Sequence, residues 1–355
     1  MMRGMLSLFR RIEVFDETYL PENFLHRDRE MEEIMACVKP LEHGIQGYNA
    51  LLHGKPATGK TTAVQKVFQQ IEESSSRIRC VYVNVALKPS AWGTLAEACL
   101  RLTGQNALPD KGTGVIHLVD SIFRKLSKES NSLVLCLDEF TSMPTKELQA
   151  VVAPFLRPWE FSAVSREVKT SIILVSSSLQ SPRFRSAVVS SLCPRWIEFK
   201  PYSAEQMHDI LKVRAEAGFG PRVVSDEALW LLATAAKDLR HAIRLLRLAG
   251  EIAESRGTKV GVDDVEKAFE RLPDSYVAQM RLSEAERRIL DEIRSRGSMR
   301  SGEIYSFSER VLGLKRTRTR QILASMIRKG ILNSETVNHR GLTKVFTVAR
   351  GWNVR

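Results

Sequence analysis

Cysteine is scarce and scattered: five residues (Cys37, Cys80, Cys99, Cys136 and Cys193) among 355. Their number is odd and none stand at metal-ligand spacing. This excludes a disulfide framework and a structural zinc site, and points to reduced residues of an intracellular chain. Long apolar runs are also missing. Nothing approaches the roughly 20 residues that cross a bilayer, which excludes a helical membrane protein. The opening, Met1 to Arg11, lacks an adequate hydrophobic stretch and a small-residue cleavage site, so no secretion signal is expected. No internal repeat or low-complexity tract occurs, which argues against solenoids and disordered linkers. The expected location is the cytoplasm, in association with the nucleoid.

Acidic residues are the other shortage, and it is local. The chain has 53 Lys+Arg against 41 Asp+Glu, a formal charge of +12. From Tyr276 to Arg355 there are 17 basic against 7 acidic residues, a net of +10. Nearly all the excess lies in the last 80 residues, the electrostatic footprint of a nucleic-acid-binding module.

Against this background one stretch carries specific chemistry: Gly54-Lys55-Pro56-Ala57-Thr58-Gly59-Lys60-Thr61. A glycine at each end of a four-residue span lets backbone N–H groups of the loop, including those of Ala57, Thr58 and Gly59, face a phosphate chain. Lys60 is then placed for the β- and γ-phosphates and the Thr61 hydroxyl for Mg²⁺. The context agrees, because 49–53 reads as a buried strand. From Thr62, apolar residues at helical spacing predict a helix to Glu72, whose N-terminus faces the anion. The chain is expected to bind ATP or ADP with Mg²⁺.

A second element follows about 80 residues downstream. Leu133 to Leu137 is unbroken apolar sequence, as in a strand covered on both faces, and it ends in Asp138-Glu139. Asp138 suits the metal. Glu139 suits activation of an attacking water, with Lys60 as the electrostatic partner. The expectation is a slow ATPase.

The predicted strands 49–53, 79–85, 133–137, 171–176 and 195–199 alternate with helices, which implies an α/β fold with a parallel sheet. An opening segment with one helix, Asp28–Val38, precedes them. From Ser203 the pattern turns helical: Ala204–Ala217, Ser225–Ala236, Leu239–Arg256 and Val262–Leu272. Beyond Pro273-Asp274-Ser275, Ser283–Arg296, Ser301–Leu312 and Thr317–Lys329 read as helices. Ile331–Val337 and Lys344–Ala349 then read as strands about a tip at 338–341. Three helices and a hairpin make a winged helix. Its third helix would offer Arg316, Thr317, Arg318, Thr319 and Arg320 to a major groove, with His339, Arg340 and Lys344 at the wing. The expected division is 1–202 for the nucleotide domain, 203–275 for a helical lid and 276–355 for the winged helix.

With these residues in place, the chain resembles an archaeal initiator of the origin-recognition and cell-division-cycle type. The likeness runs through Phe15 to Glu22 with His26-Arg27, the phosphate loop, Val81 to Asn84, Phe199 to Gln206 with Arg214, and Asp238 to Ile243. It implies an AAA+ ATPase with a helical lid and a C-terminal winged helix. Such a protein binds double-stranded replication-origin DNA site-specifically and helps load the replicative helicase, and it acts beside other copies or paralogues of itself, away from membranes. It further implies that His26 and Arg27 lie beside the adenine, and that Tyr202 and Arg214 contact ATP. Arg240 would sense the γ-phosphate, Arg183 would serve as an arginine finger for a neighbour, and the 87–126 element, with Lys111, would press on DNA. Two features depart from the family. Lys55-Pro56-Ala57 is bulkier than usual, and Ile172 to Ser178 lacks the Asn expected at the end of the first-sensor strand. The alternatives left open are an ATP-binding transcriptional or partition regulator and a remodelling ATPase not acting at origins.

Overall fold

The computed structural model describes residues 7–104, 114–129, 131–162, 164–178, 184, 186–272, 283–328, 331–338 and 342–348. Lys111, Arg183, His339 and Arg340 lie outside them. The chain forms two compact units. One comprises residues 11–218 with 238–240, and the other the first ten residues, 219–237 and 241–355.

The first unit is built on β1 (Ala50–His53), β2 (Ile78–Asn84), β3 (Ser132–Asp138), β4 (Thr170–Ser176) and β5 (Arg195–Glu198). All neighbours pair in parallel, in the order β2-β3-β4-β1-β5. Crossover helices force this arrangement, since parallel strands cannot be joined by tight turns. The crossovers carry α2 (Lys60–Ser74), α3 (Ala91–Thr103), α4 (Val115–Lys128), α5 (Thr145–Leu156), α6 (Pro158–Phe161) and α7 (Ser186–Leu192), while α1 (Asp28–Val38) precedes the sheet and α8 (Ala204–Gly218) follows it. Strands β3 and β4 are buried at every position. Their alternate residues feed two cores. Leu133, Leu135 and Leu137 face α3, α4 and α5, while Val134 and Cys136 face α1 and α2. An uninterrupted apolar strand is what burial on both faces requires.

In the second unit, α9 (Asp226–Ala235), α10 (Leu239–Arg256) and α11 (Val262–Arg271) form a helical group. Leu229, Leu232, Leu245, Leu246 and Val265 are buried in it. The Ser225 hydroxyl caps α9 by accepting from the Ala228 amide. The basic end folds as α12 (Glu284–Arg296), β6 (Ser298–Arg300), α13 (Ser301–Leu312), α14 (Arg316–Arg328), β7 (Leu332–Asn338) and β8 (Leu342–Val348). Its antiparallel sheet has the order β6-β8-β7. The short strand β6 escaped the sequence reading, because three residues carry too little alternation to register. The Ser283–Glu286 capping box opens α12 as expected. Ile289, Ile293, Ile304, Leu323, Met326 and Phe346 close the core of this winged helix.

Candidate functional site

The phosphate loop runs from the end of β1 into the first turn of α2, so its amides gather at a helix N-terminus, where partial positive charge favours an anion. Two glycines are sterically required. A Cβ on Gly54, at φ +152°, would stand 2.2 Å from the Phe199 carbonyl oxygen, and one on Gly59, at φ +91°, 2.6 Å from the Tyr202 hydroxyl oxygen. Ala57 occupies the left-handed region at φ 60°. Lys60 is almost buried, and its ammonium donates to the carbonyl oxygens of Gly54 (2.7 Å) and Lys55 (2.8 Å). Burial lowers its pKa, opposed by the charges of Glu139 and Asp138, while Arg240 adds to the lowering.

The acidic pair meets this loop. Thr61 donates through Oγ1 to Asp138 Oδ2 at 2.6 Å, and Tyr82 donates its phenolic proton to the same oxygen at 2.8 Å. The Glu139 amide donates to Oδ1 at 2.8 Å. The Asp138 carboxylate is thus held in one orientation by three donors. Burial, then the charge of Asp138, pushes the Tyr82 phenol well above its ordinary pKa, so it stays a donor. Glu139 takes φ 53°, and its Oε2 accepts a hydrogen bond from the Ser177 hydroxyl at 3.2 Å. Tyr82 and Ser177 were each visible in the sequence but without these roles. The signal for Tyr82 was its diagonal position: Asn84 pairs with Asp138, and Tyr82 with Cys136. For Ser177 it was the position just past the end of β4 that departs from the family pattern.

The residues expected beside the base have the following partners within the protein. Arg27 is buried, and its guanidinium is committed to the protein. Nε donates to the Thr58 carbonyl (3.0 Å), one terminal nitrogen to Glu30 (3.0 Å) and the other to the Lys200 carbonyl (2.6 Å). It lies 3.9 Å from the Tyr202 ring centre. Arg27 therefore braces the loop rather than offering its fork to a ligand. His26, at φ 61°, pairs with Asp209 at 3.0 Å. Arg214 donates to the Val14 carbonyl and lies 4.7 Å from the Tyr19 ring centre. Burial lowers its pKa. Arg240 is half exposed, 3.6 Å from Glu17. Thr62 sits half-buried in the first turn of α2.

These residues fit a nucleotide with its metal. The buried Tyr202 hydroxyl has no hydrogen-bond partner among the described residues, and it lies where a side chain on Gly59 would be. The Thr61 and Asp138 oxygens are hard donors of the kind Mg²⁺ takes.

On the winged helix, Arg316, Thr317, Arg318 and Arg320 are exposed along the first turns of α14, and Lys344 is exposed on β8. Thr319 corrects the sequence expectation. It is fully buried, and its hydroxyl donates to the Lys315 carbonyl at 3.4 Å. Helical periodicity aligns it with Ile322, Leu323 and Met326 on the core face, so it cannot read a base.

A family model for the AAA ATPase domain matches residues 23–160, and one for the Cdc6 AAA+ ATPase-type lid domain matches 208–270. The chain is 32% identical over 311 residues to ORC1-type DNA replication protein 2 of Methanothermobacter thermautotrophicus, covering 84% of this chain and 80% of that one. It is 30% identical to ORC1-type DNA replication protein 3 of Haloarcula marismortui, over 94% and 91% of the two chains. The solved structure of the Aeropyrum pernix ORC1 protein in complex with DNA superposes with a TM-score of 0.70 at 26% identity, covering 97% of this chain and 94% of that one. Sequence likeness of this extent, with a phosphate loop and paired acids at the head of a parallel sheet and a winged helix at the end, makes the chain a member of the ORC1-type DNA replication protein family of archaea.

Proposed function

We propose that this protein is an ATP-controlled initiator that binds origin duplex DNA site-specifically and helps load the replicative helicase, together with other copies or paralogues on the DNA. The observation that carries the reading is the convergence of Lys60, Thr61, Asp138 and Glu139, fastened by the Thr61–Asp138 bond, in one chain with a basic winged helix.

The loop amides and Lys60 would receive the phosphates, and Tyr202 and Arg240 would complete the pocket. Thr61 and Asp138 would hold Mg²⁺, which would supply charge neutralisation of the phosphates. Glu139 would take a proton from the attacking water. Its carboxylate is tied to Ser177 and must be released or re-aimed first, which favours slow turnover and control by nucleotide binding. Three working parts fit this scheme: residues 1–202 for nucleotide, 203–275 as lid and 276–355 for DNA. Arg316, Thr317, Arg318 and Arg320 would face base edges and phosphates, with Lys344 on the wing. Arg183 and Lys111 keep the roles that the resemblance implies, and His339 and Arg340 the place at the wing tip read from the sequence.

The test is a footprint on inverted-repeat DNA near replication start points. Loss in Arg318→Ala/Arg320→Ala, with retention in Lys60→Ala, supports site-specific reading by α14. Binding scattered over promoters in genome-wide mapping would replace the initiator reading with that of a regulator.

A further inference from the structure

A cavity of about 680 Å³ opens in the winged helix between the end of α12, β6, α13 and the start of α14. Four arginines border it: Arg296, Arg300, Arg310 and Arg316. Arg296 is already paired, donating to Glu292 on its own helix at 2.8 Å. Arg316 lies 4.9 Å from the Tyr305 ring centre, which holds its guanidinium at the border. Neither Arg300 nor Arg310 has a carboxylate partner among the described residues. The one acid on the lining, Glu303, is turned back to accept from the Arg300 amide at 2.7 Å. Four arginines thus border the concave space against a single lining carboxylate, which leaves positive charge in excess there.

Two further features of the hollow suit an anion. Ser301 and Gly302 occupy the first turn of α13, where amides lack an intrahelical acceptor. A Cβ built on Gly302 meets nothing within 4 Å, so a side chain at this lining position would enter open space. The floor is apolar, with Met299 buried. A hollow of this size exceeds a single phosphate and suits a short run of phosphodiester. Arg316 belongs both to this border and to the exposed start of α14, so the cavity adjoins the face that would enter a major groove.

We propose that this cavity is a backbone clamp, in which Arg300, Arg310 and the first turn of α13 grip consecutive phosphates flanking the major groove occupied by α14. The inference rests on the reading of the winged helix as a duplex-DNA binder. Such contacts set register and affinity and carry no base information.

The experiment uses the full chain and labelled duplexes of several unrelated sequences, with affinity measured across a salt series. R300Q/R310Q should weaken binding to all of them by a common factor of about ten or more. It should also make the log–log salt slope shallower by about 2, at ~0.9 per phosphate. Gly302→Glu offers a second readout. A carboxylate in a first helical turn is compatible with the helix but repels phosphate, so affinity should fall while thermal stability holds. Arg318→Gln should instead change the preference among sequences. The clamp is overturned if folded R300Q/R310Q keeps the wild-type affinity and slope. A wild-type slope near zero overturns the DNA-binding reading and the clamp together. Free polyphosphate is the other source of the same chemistry, and tripolyphosphate is its probe. If calorimetry finds tripolyphosphate binding that is lost in R300Q/R310Q while duplex affinity is unchanged, the cavity serves that ligand and not DNA.

Discussion

The Arg27 guanidinium donates to the carbonyl oxygen of Thr58 at 3.0 Å, joining the segment before α1 to the middle of the phosphate loop across 31 residues of chain. With its bonds to Glu30 and Lys200, it ties three stretches to the same planar cation. A loop that must hold its amides convergent is braced here from behind. Arg27→Ala should leave two carbonyls and a carboxylate without their donor, costing about 3 kcal/mol in denaturant unfolding. Arg27→Lys should recover little, because an ammonium cannot reproduce the fork.

Tyr82 holds one Asp138 oxygen that Thr61 also holds. Tyr82→Phe should cost about 1 kcal/mol of stability and loosen the carboxylate, lowering ATP turnover more than nucleotide affinity. Comparing the turnover number with nucleotide binding by titration separates the two. Asp138→Asn keeps the shape but removes the charge, and should abolish Mg²⁺-dependent turnover.

Ser177→Ala removes the donor that faces Glu139. If that bond restrains the carboxylate, steady-state hydrolysis should rise by a few fold with nucleotide affinity unchanged. A fall in turnover would mean that the serine instead positions Glu139 for the reaction.

The depressed Lys60 pKa gives a signed pH effect. The folded, nucleotide-free protein gives up this proton at a lower pH than the unfolded chain, whose lysine titrates near 10.5. Between those values the unfolded state binds more protons, so stability rises with pH. Lys60→Met should lack this rise, measured as the difference in unfolding free energy between the two proteins along an alkaline series. Phosphate bound to Lys60 stabilises the ammonium, so nucleotide affinity should weaken over the same range.

Gly54→Ala should be among the most damaging single changes. Its Cβ would collide with the Phe199 carbonyl oxygen, and backbone cannot swing aside as a flexible side chain can. A loss of more than about 2 kcal/mol is expected, read from the thermal midpoint.

Much of this protein is decided by local sequence. Unbroken apolar runs mark β3 and β4 because both faces of a central parallel strand are covered. The helices Asp28–Val38 and Leu239–Arg256 have the predicted limits, because amphipathic spacing persists through each. The glycines of the loop, the paired acids after β3 and the basic end are equally local, being matters of residue type and near-neighbour spacing. Tertiary structure decided the rest. The order β2-β3-β4-β1-β5 puts β4 between the strands of the loop and the acids, which is how Ser177 comes to face Glu139. The burial of Thr319 amid exposed neighbours came from which face of α14 met its core. The turning of Arg27 onto carbonyls came from the approach of Thr58 and Lys200, which stand far apart along the chain. The physical reason is common to all three: periodicity reports that a face is buried, whereas only packing decides what lies opposite it.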